Sequence, residues 1–131
     1  MTFCRWSDLD YGCDLYVYAD VDGGYRTQVA ETRVQWTPPK SPYDLKLVTE
    51  LSPAAYKKVA RDYHKALDNA PRRRIGLPYD GKSFWDKEPE AVLERVQMLI
   101  EMGYRTPDWL VPLLEEECNP DEVEQDLWGA I

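Results

Sequence analysis

The sequence is poor in the residues on which most catalytic and metal sites depend. It contains one histidine, His64, and three cysteines, Cys4, Cys13 and Cys118. A single histidine excludes metal-binding histidine pairs, and any Ser-His-Asp arrangement would have to use His64. The helical spacing around His64 places it opposite the apolar face of its helix, where an exposed position is expected. We therefore assign it no catalytic role.

Metal and phosphate motifs are also missing. Cys4 and Cys13 could become neighbours across two strands, but their nine-residue step lacks the short spacing of a zinc knuckle, and nothing favours a site with three cysteines and one histidine. Asp22-Gly23-Gly24 precedes a strand pattern and not a helix, so it is a turn signal and not a phosphate loop. The sequence thus predicts no catalytic residue, no metal and no cofactor, and we expect a protein that is not an enzyme.

Long apolar runs are absent as well. No uncharged apolar stretch approaches the roughly 18 residues that a membrane span requires, and the first ten residues already include Arg5, Asp8 and Asp10. We therefore expect no signal peptide and no membrane anchor, with free thiols in a reducing cytoplasm. The oligomeric state is left open.

The chain has 131 residues, 44% hydrophobic and 31% charged, with ten prolines and seven glycines. This length and composition predict one globular domain over residues 1–131 with frequent breaks between short elements. We divide it into a β-sheet part (1–37), a proline-containing connection (38–51) and a helical part (52–131).

A hairpin is the clearest element of the β-sheet part. Residues 13–20 alternate, which places Leu15 and Val17 on one face and Tyr16 and Tyr18 on the other. The turn is predicted at Asp22–Gly24. A two-residue turn would break the apolar face, so we prefer a three-residue loop that sets Val17 opposite Val29.

The other elements complete an α+β fold. Residues 2–6 predict a third antiparallel strand, and a bulge near residue 32 would let the sheet continue to Trp36. Ser52-Pro53 begins a helix that ends at Pro71, and a second helix runs from about residue 86 to Gly103. A third helix, 108–118, would be distorted by Pro112, and a short last helix follows residue 119. We expect three to four helices packed on one face of a sheet of about three strands.

Charge is unevenly distributed along the chain. Residues 40–82 carry ten basic and five acidic side chains, whereas residues 83–131 carry three and thirteen. Mutual neutralisation between helices explains this pattern most simply, but two binding roles stay open: nucleic-acid binding by the basic segment 57–74, and imitation of a phosphate backbone by the acidic last third. The calculated isoelectric point of about 4.6 disfavours a nucleic-acid partner.

Outward-facing aromatic residues favour binding to a protein. Tyrosine and tryptophan are enriched at the energetic centres of interfaces. The alternative is that the C-terminal helices or Trp128 cover the Tyr16 and Tyr18 face. The candidate partner-binding residues are Trp6, Tyr16, Tyr18, Tyr25, Arg72, Arg73 and Arg74.

Four stretches carry a resemblance to a known group of proteins: Phe3-Cys4-Arg5-Trp6-Ser7, residues 13–18, Ile75-Gly76-Leu77-Pro78-Tyr79-Asp80-Gly81-Lys82-Ser83-Phe84, and residues 99–107. In these patches the chain resembles short uncharacterised proteins of bacteriophages and prophages, particularly of actinobacteria. The resemblance implies no activity and no functional residue.

The context that it implies is the cytoplasm of a bacterial host and an accessory role. We therefore expect a non-enzymatic phage or prophage accessory protein that binds a host protein, in the manner of inhibitors of defence systems such as CRISPR. The alternative is a small enzyme, or a nucleic-acid-binding accessory that uses residues 57–74.

Overall fold

The computed structural model describes residues 1–119, apart from the side chains of residues 45 and 47. Its chain forms two compact units: residues 1–31 together with 75–119, and residues 32–74. The single domain expected over residues 1–131 stays a prediction. Within residues 1–119, no helix has both the length and the apolarity that a membrane crossing requires.

Six strands and five helical segments make up this part of the chain. The strands are β1 (Thr2–Cys4), β2 (Leu15–Ala19), β3 (Tyr25–Val29), β4 (Thr32–Val34), β5 (Arg72–Arg74) and β6 (Ser83–Asp86). The helical segments are α1 (Asp8–Tyr11), α2 (Leu45–Glu50), α3 (Pro53–Asn69), α4 (Pro89–Glu101) and α5 (Leu110–Cys118). The α+β class and the N-terminal antiparallel sheet are confirmed.

The first unit is built on a four-stranded antiparallel sheet with the order β1-β2-β3-β6. Leu15 and Val17 have no exposed surface because the alternation of β2 turns them towards α4 and α5. Val96 of α4 and Leu114 of α5 are likewise fully buried in this core. A fourth strand, β6, joins the three predicted strands. It lies within residues 52–131, which were predicted to be helical.

The predicted register of the hairpin is wrong. β2 and β3 pair Val17 with Thr27, and Val29 lies opposite Leu15, two residues from the predicted partner. Asp20 N–H donates to the carbonyl of Gly24 at 3.0 Å, so the three-residue loop begins one position earlier than expected. Because the shift is by two residues, the same side chains still face the core.

The connection between β1 and β2 is a left-handed turn. Leu9, Asp10 and Tyr11 of α1 have φ values of 58°, 54° and 65°, a conformation that costs non-glycine residues roughly 1–2 kcal/mol each. Hydrogen bonds close the turn: Gly12 N–H donates to the carbonyl oxygens of Asp8 and Leu9 at 3.1 and 3.0 Å.

The second unit pairs β4 with β5 and contains α2 and α3. The expected continuation of the first sheet to Trp36 is wrong, since β4 belongs to a separate two-stranded sheet. The predicted first helix is confirmed: the Ser52 side chain accepts a hydrogen bond from Ala55 N–H at 3.3 Å, and Pro53 occupies the first turn. Tyr63 is buried and its ring contacts those of Trp36 and Tyr43.

Helix α5 corrects the expectation for Pro112. The helix begins at Leu110, not at Asp108, so Pro112 lies in the first turn. Backbone N–H groups of the first turn have no partner within the helix, and proline is tolerated there without distortion. The short helix predicted after residue 119, in which Val123 and Leu127 share a face, lies outside the described residues. Trp128 lies outside them too.

Candidate functional site: an aromatic sheet face

A row of aromatic rings lies on the sheet face that points away from α4 and α5. The rings of Tyr16 and Tyr18 meet edge to face, with centroids 5.3 Å apart and planes at 87°. Trp6 continues the row, because its ring lies 5.5 Å from that of Tyr16 at 78°. The edge-to-face arrangement is favourable for aromatic pairs and fixes the orientation of each ring.

The strand β2 determines this placement. Leu15 and Val17 fill the core, so the intervening tyrosines must lie on the opposite face. Gln28 of the neighbouring strand lies opposite Tyr16, and its Nε2 donates to the Tyr18 hydroxyl at 3.1 Å. The tyrosines are thus half-buried by their neighbours, with their orientation held by ring contacts and a hydrogen bond.

Trp85 extends the aromatic surface along the same face to the β6 edge of the sheet. It lies opposite Arg26 in the β3–β6 ladder, and 49% of its surface is exposed. Its Nε1 donates to the carbonyl of Gly23 at 3.0 Å. The ring covers Gly24 so closely that a Cβ on this glycine would lie 2.7 Å from the indole. We call Trp6, Tyr16, Tyr18 and Trp85 the aromatic face.

A shallow depression lies beside the two tyrosines. Its volume is about 250 Å³, which is below the usual range for a small-molecule site. It is lined by Met1, Thr2, Tyr16, Tyr18, Ala19 and Gln28. The lining side chains are apolar, hydroxyl or amide groups.

The unit that carries the aromatic face is acidic overall. Residues 1–31 and 75–119 together carry sixteen acidic and six basic side chains. At the end of β2, Asp20 forms an ion pair with Arg26 at 3.2 Å. A hydrogen bond from the backbone N–H of Asp22, helped by Arg26, lowers the pKa of Asp20 below its usual value, so this carboxylate keeps its charge.

The structure brings together three of the seven predicted binding residues. Trp6, Tyr16 and Tyr18 share one surface, whereas Tyr25 lies on the opposite face, half-buried against the Phe3 ring with centroids 5.9 Å apart. Burial raises the pKa of Tyr25. The alternation of β3 places Tyr25 on the core-facing side, because Tyr25 lies two positions from the buried Thr27.

Three predicted residues lie in the other unit, and one aromatic residue of this face was not in the predicted set. Arg72, Arg73 and Arg74 form β5 in the second unit, where all three are exposed. Trp85 was missed because the residues just before the predicted second helix were assigned to no element. The signal was present in the alternation of Ser83-Phe84-Trp85-Asp86, which is typical of a short strand.

The two N-terminal cysteines are neighbours. The Sγ atoms of Cys4 and Cys13 both donate to the carbonyl of Leu15, at 3.4 and 3.1 Å. The hydrogen bond with Cys13 and burial raise the pKa of the Cys4 thiol, so it stays protonated. Within residues 1–119, no three histidine, cysteine or carboxylate side chains are grouped to hold a metal ion.

Carboxylates in the first unit hold the fold together. Asp14, 1% exposed, accepts hydrogen bonds from the backbone and guanidinium of Arg105. Asp86 binds Arg95 through two hydrogen bonds of 2.6 and 3.0 Å. These pairs link the sheet to α4 and to the segment after it, which is a structural role.

Comparison of the chain with protein-family models, with curated proteins and with solved structures gives no match to any of them. The fold and the site define an α+β protein with an aromatic sheet face in an acidic unit. Its function must therefore be argued from that geometry.

Proposed function

We propose that the protein is a non-enzymatic binding protein that recognises another protein through the aromatic face. The observation that carries the proposal is the row formed by Trp6, Tyr16 and Tyr18 on the sheet face away from α4 and α5. The resemblance to bacteriophage and prophage proteins makes a host protein the expected partner. Inhibition of a bacterial defence system is the role that this context favours.

The rings are suited to binding because they are already ordered. Tyr18 is held by Tyr16 and by Gln28, and Trp85 is held by the carbonyl of Gly23. Side chains that are fixed before binding lose little conformational entropy when the complex forms. Tyrosine and tryptophan also supply large contact areas with few rotatable bonds.

The net negative charge of the first unit favours a partner with a basic surface. The first unit has an excess of ten acidic side chains among residues 1–31 and 75–119. Complementary charge speeds association and excludes partners of the same sign. We expect the partner to contact the aromatic face with an apolar patch that basic residues surround.

An affinity experiment tests the proposal. The full chain, the double variant Tyr16→Ala/Tyr18→Ala and the control Tyr43→Ala are used as baits in lysate of an actinobacterial host. Tyr43 is a suitable control because it is an exposed tyrosine of the second unit. Circular dichroism first establishes that all three proteins are folded.

The recovered partner is then purified and its affinity measured by calorimetry. We expect the double variant to bind at least 30-fold more weakly, since truncation of a central interface residue costs about 2 kcal/mol or more. The Tyr43→Ala control should bind like the parent chain. A partner that binds all three proteins equally, or no partner in any lysate fraction, would contradict the proposal.

A further inference from the structure

The second unit is strongly basic, in contrast to the rest of the chain. Residues 32–74 carry ten basic and four acidic side chains. This unit therefore has a net charge of +6, although the whole chain has a net charge of −8. The boundaries of this unit are set by the fold, since it begins and ends with the paired strands β4 and β5.

A line of cations runs along the solvent side of α3. Lys57, Arg61 and Lys65 recur every four residues and are exposed, whereas Tyr63 and Leu67 of the same helix are buried. Eight residues of α-helix extend about 12 Å, so the three charges are spaced about 6 Å apart. Like charges four residues apart repel each other and weaken a helix.

The line of cations is followed directly by a second basic element. Only Ala70 and Pro71 separate α3 from the three exposed arginines of β5. Arg73 lies opposite Arg33 of β4, although like charges at opposing positions weaken a ladder. Both elements thus carry a concentration of positive charge.

We propose that this basic surface of the second unit binds the phosphate backbone of a nucleic acid without sequence preference. Its centre is the exposed line Lys57, Arg61 and Lys65 of α3, and Lys58, Arg72, Arg73 and Arg74 are further exposed cations of this unit. Interfaces with proteins have cores that are depleted of charge, whereas interfaces with nucleic acids are rich in positive charge. A regular row of cations matches the regular spacing of phosphates, and arginine can bind a phosphate through two hydrogen bonds.

Fluorescence anisotropy with a labelled duplex of about 20 base pairs tests this proposal, starting at about 20 mM salt, because phosphate contacts are strongest at low ionic strength. The test variant is Lys57→Gln/Arg61→Gln/Lys65→Gln in the full chain. The matched control, Arg5→Gln/Lys82→Gln/Lys87→Gln, removes three exposed cations from the first unit and changes the net charge equally. Circular dichroism verifies that both variants keep their helix content, which glutamine supports.

Binding should weaken steeply with salt. With about four phosphate contacts, a fourfold rise in salt concentration lowers the affinity about 100-fold. The test variant should bind at least 10-fold more weakly, with a logarithmic salt slope shallower by about 2 to 3, while the control binds like the parent chain.

Three outcomes would overturn the proposal. The first is no anisotropy change with duplex DNA, duplex RNA or single strands at the lowest salt concentration. The second is an equal loss of affinity in the test variant and the control, since this would indicate a general effect of net charge. The third is tighter binding of polyglutamate than of a nucleic acid of equal charge, which would identify an acidic protein as the partner. None of these outcomes bears on the aromatic face, which lies in the other unit.

Discussion

The two adjacent glycines of the hairpin allow a sharp test of how the aromatic face is built. Gly23 and Gly24 have φ values of 98° and 75°, so alanine is strained at both positions. A Cβ on Gly23 would meet no atom within 4 Å. A Cβ on Gly24 would lie 2.7 Å from the Trp85 ring and 2.8 Å from the backbone oxygen of Asp86. The two substitutions therefore differ only in steric contact.

The expected magnitudes follow from these contacts. Left-handed backbone costs alanine about 1–2 kcal/mol, which is the whole expected loss for Gly23→Ala. For Gly24→Ala, the collision with Trp85 and with the β6 backbone adds about 1–3 kcal/mol, typical of overpacking. We therefore expect Gly24→Ala to lower the free energy of unfolding by about 2 kcal/mol more than Gly23→Ala does.

Urea unfolding followed by circular dichroism measures both losses. A third variant, Gly24→Ala in the Trp85→Ala background, separates the two collisions, because only the Asp86 oxygen then remains close to the new Cβ. Its additional loss relative to Trp85→Ala alone should be smaller than the loss in the parent chain. Equal losses for Gly23→Ala and Gly24→Ala would refute the packing of Trp85 on Gly24.

Two further predictions concern buried polar groups. Asp14→Ala removes three hydrogen bonds from Arg105 and should lower the free energy of unfolding in urea by about 3 kcal/mol. The exposed control Asp108→Ala should lower it by less than about 0.5 kcal/mol. Equal losses in the two variants would show that the Asp14–Arg105 pair adds no stability. Burial and the hydrogen bond to Asp80 raise the pKa of Tyr104 from 10 to about 12. The folded state therefore keeps a proton that the unfolded chain loses, and stability should fall by about 2–3 kcal/mol as the pH rises from 10 to 12. Tyr104→Phe should lack that part of the fall, and an unchanged pH profile in this variant would contradict the assignment.

The elements that the sequence predicted correctly depend on local chemistry. Ser52 and Pro53 specify the beginning of α3 within three residues, and the alternation of β2 specifies which side chains are buried. The elements that it missed depend on distant partners. Nothing in Arg72-Arg73-Arg74 is typical of a strand, and these residues are extended because they pair with β4 about forty positions earlier.

In the aromatic face, too, some residues were predictable from local sequence and others were not. Tyr16 and Tyr18 were predicted to face away from the core, and the alternation of β2 places them there. Tyr25 was also assigned to the binding surface, but the alternation of β3 puts it on the same face as the buried Thr27 and Val29. Trp85 joins the aromatic face from a strand nearly sixty residues away, which no pattern within the hairpin could indicate.

By itself the sequence determined the fold class, the hairpin and its two faces, and the beginning of α3, because these depend on periodicity and on capping within a few residues. Only the tertiary structure decided the register of the hairpin, the fourth strand and the separation of a basic unit from an acidic one. Those features depend on which distant segments pair, and pairing is a property of the packed chain. The hairpin loop at Gly23 and Gly24 belongs to both groups, since glycine allows the turn and Trp85 of β6 fixes its place in the sheet.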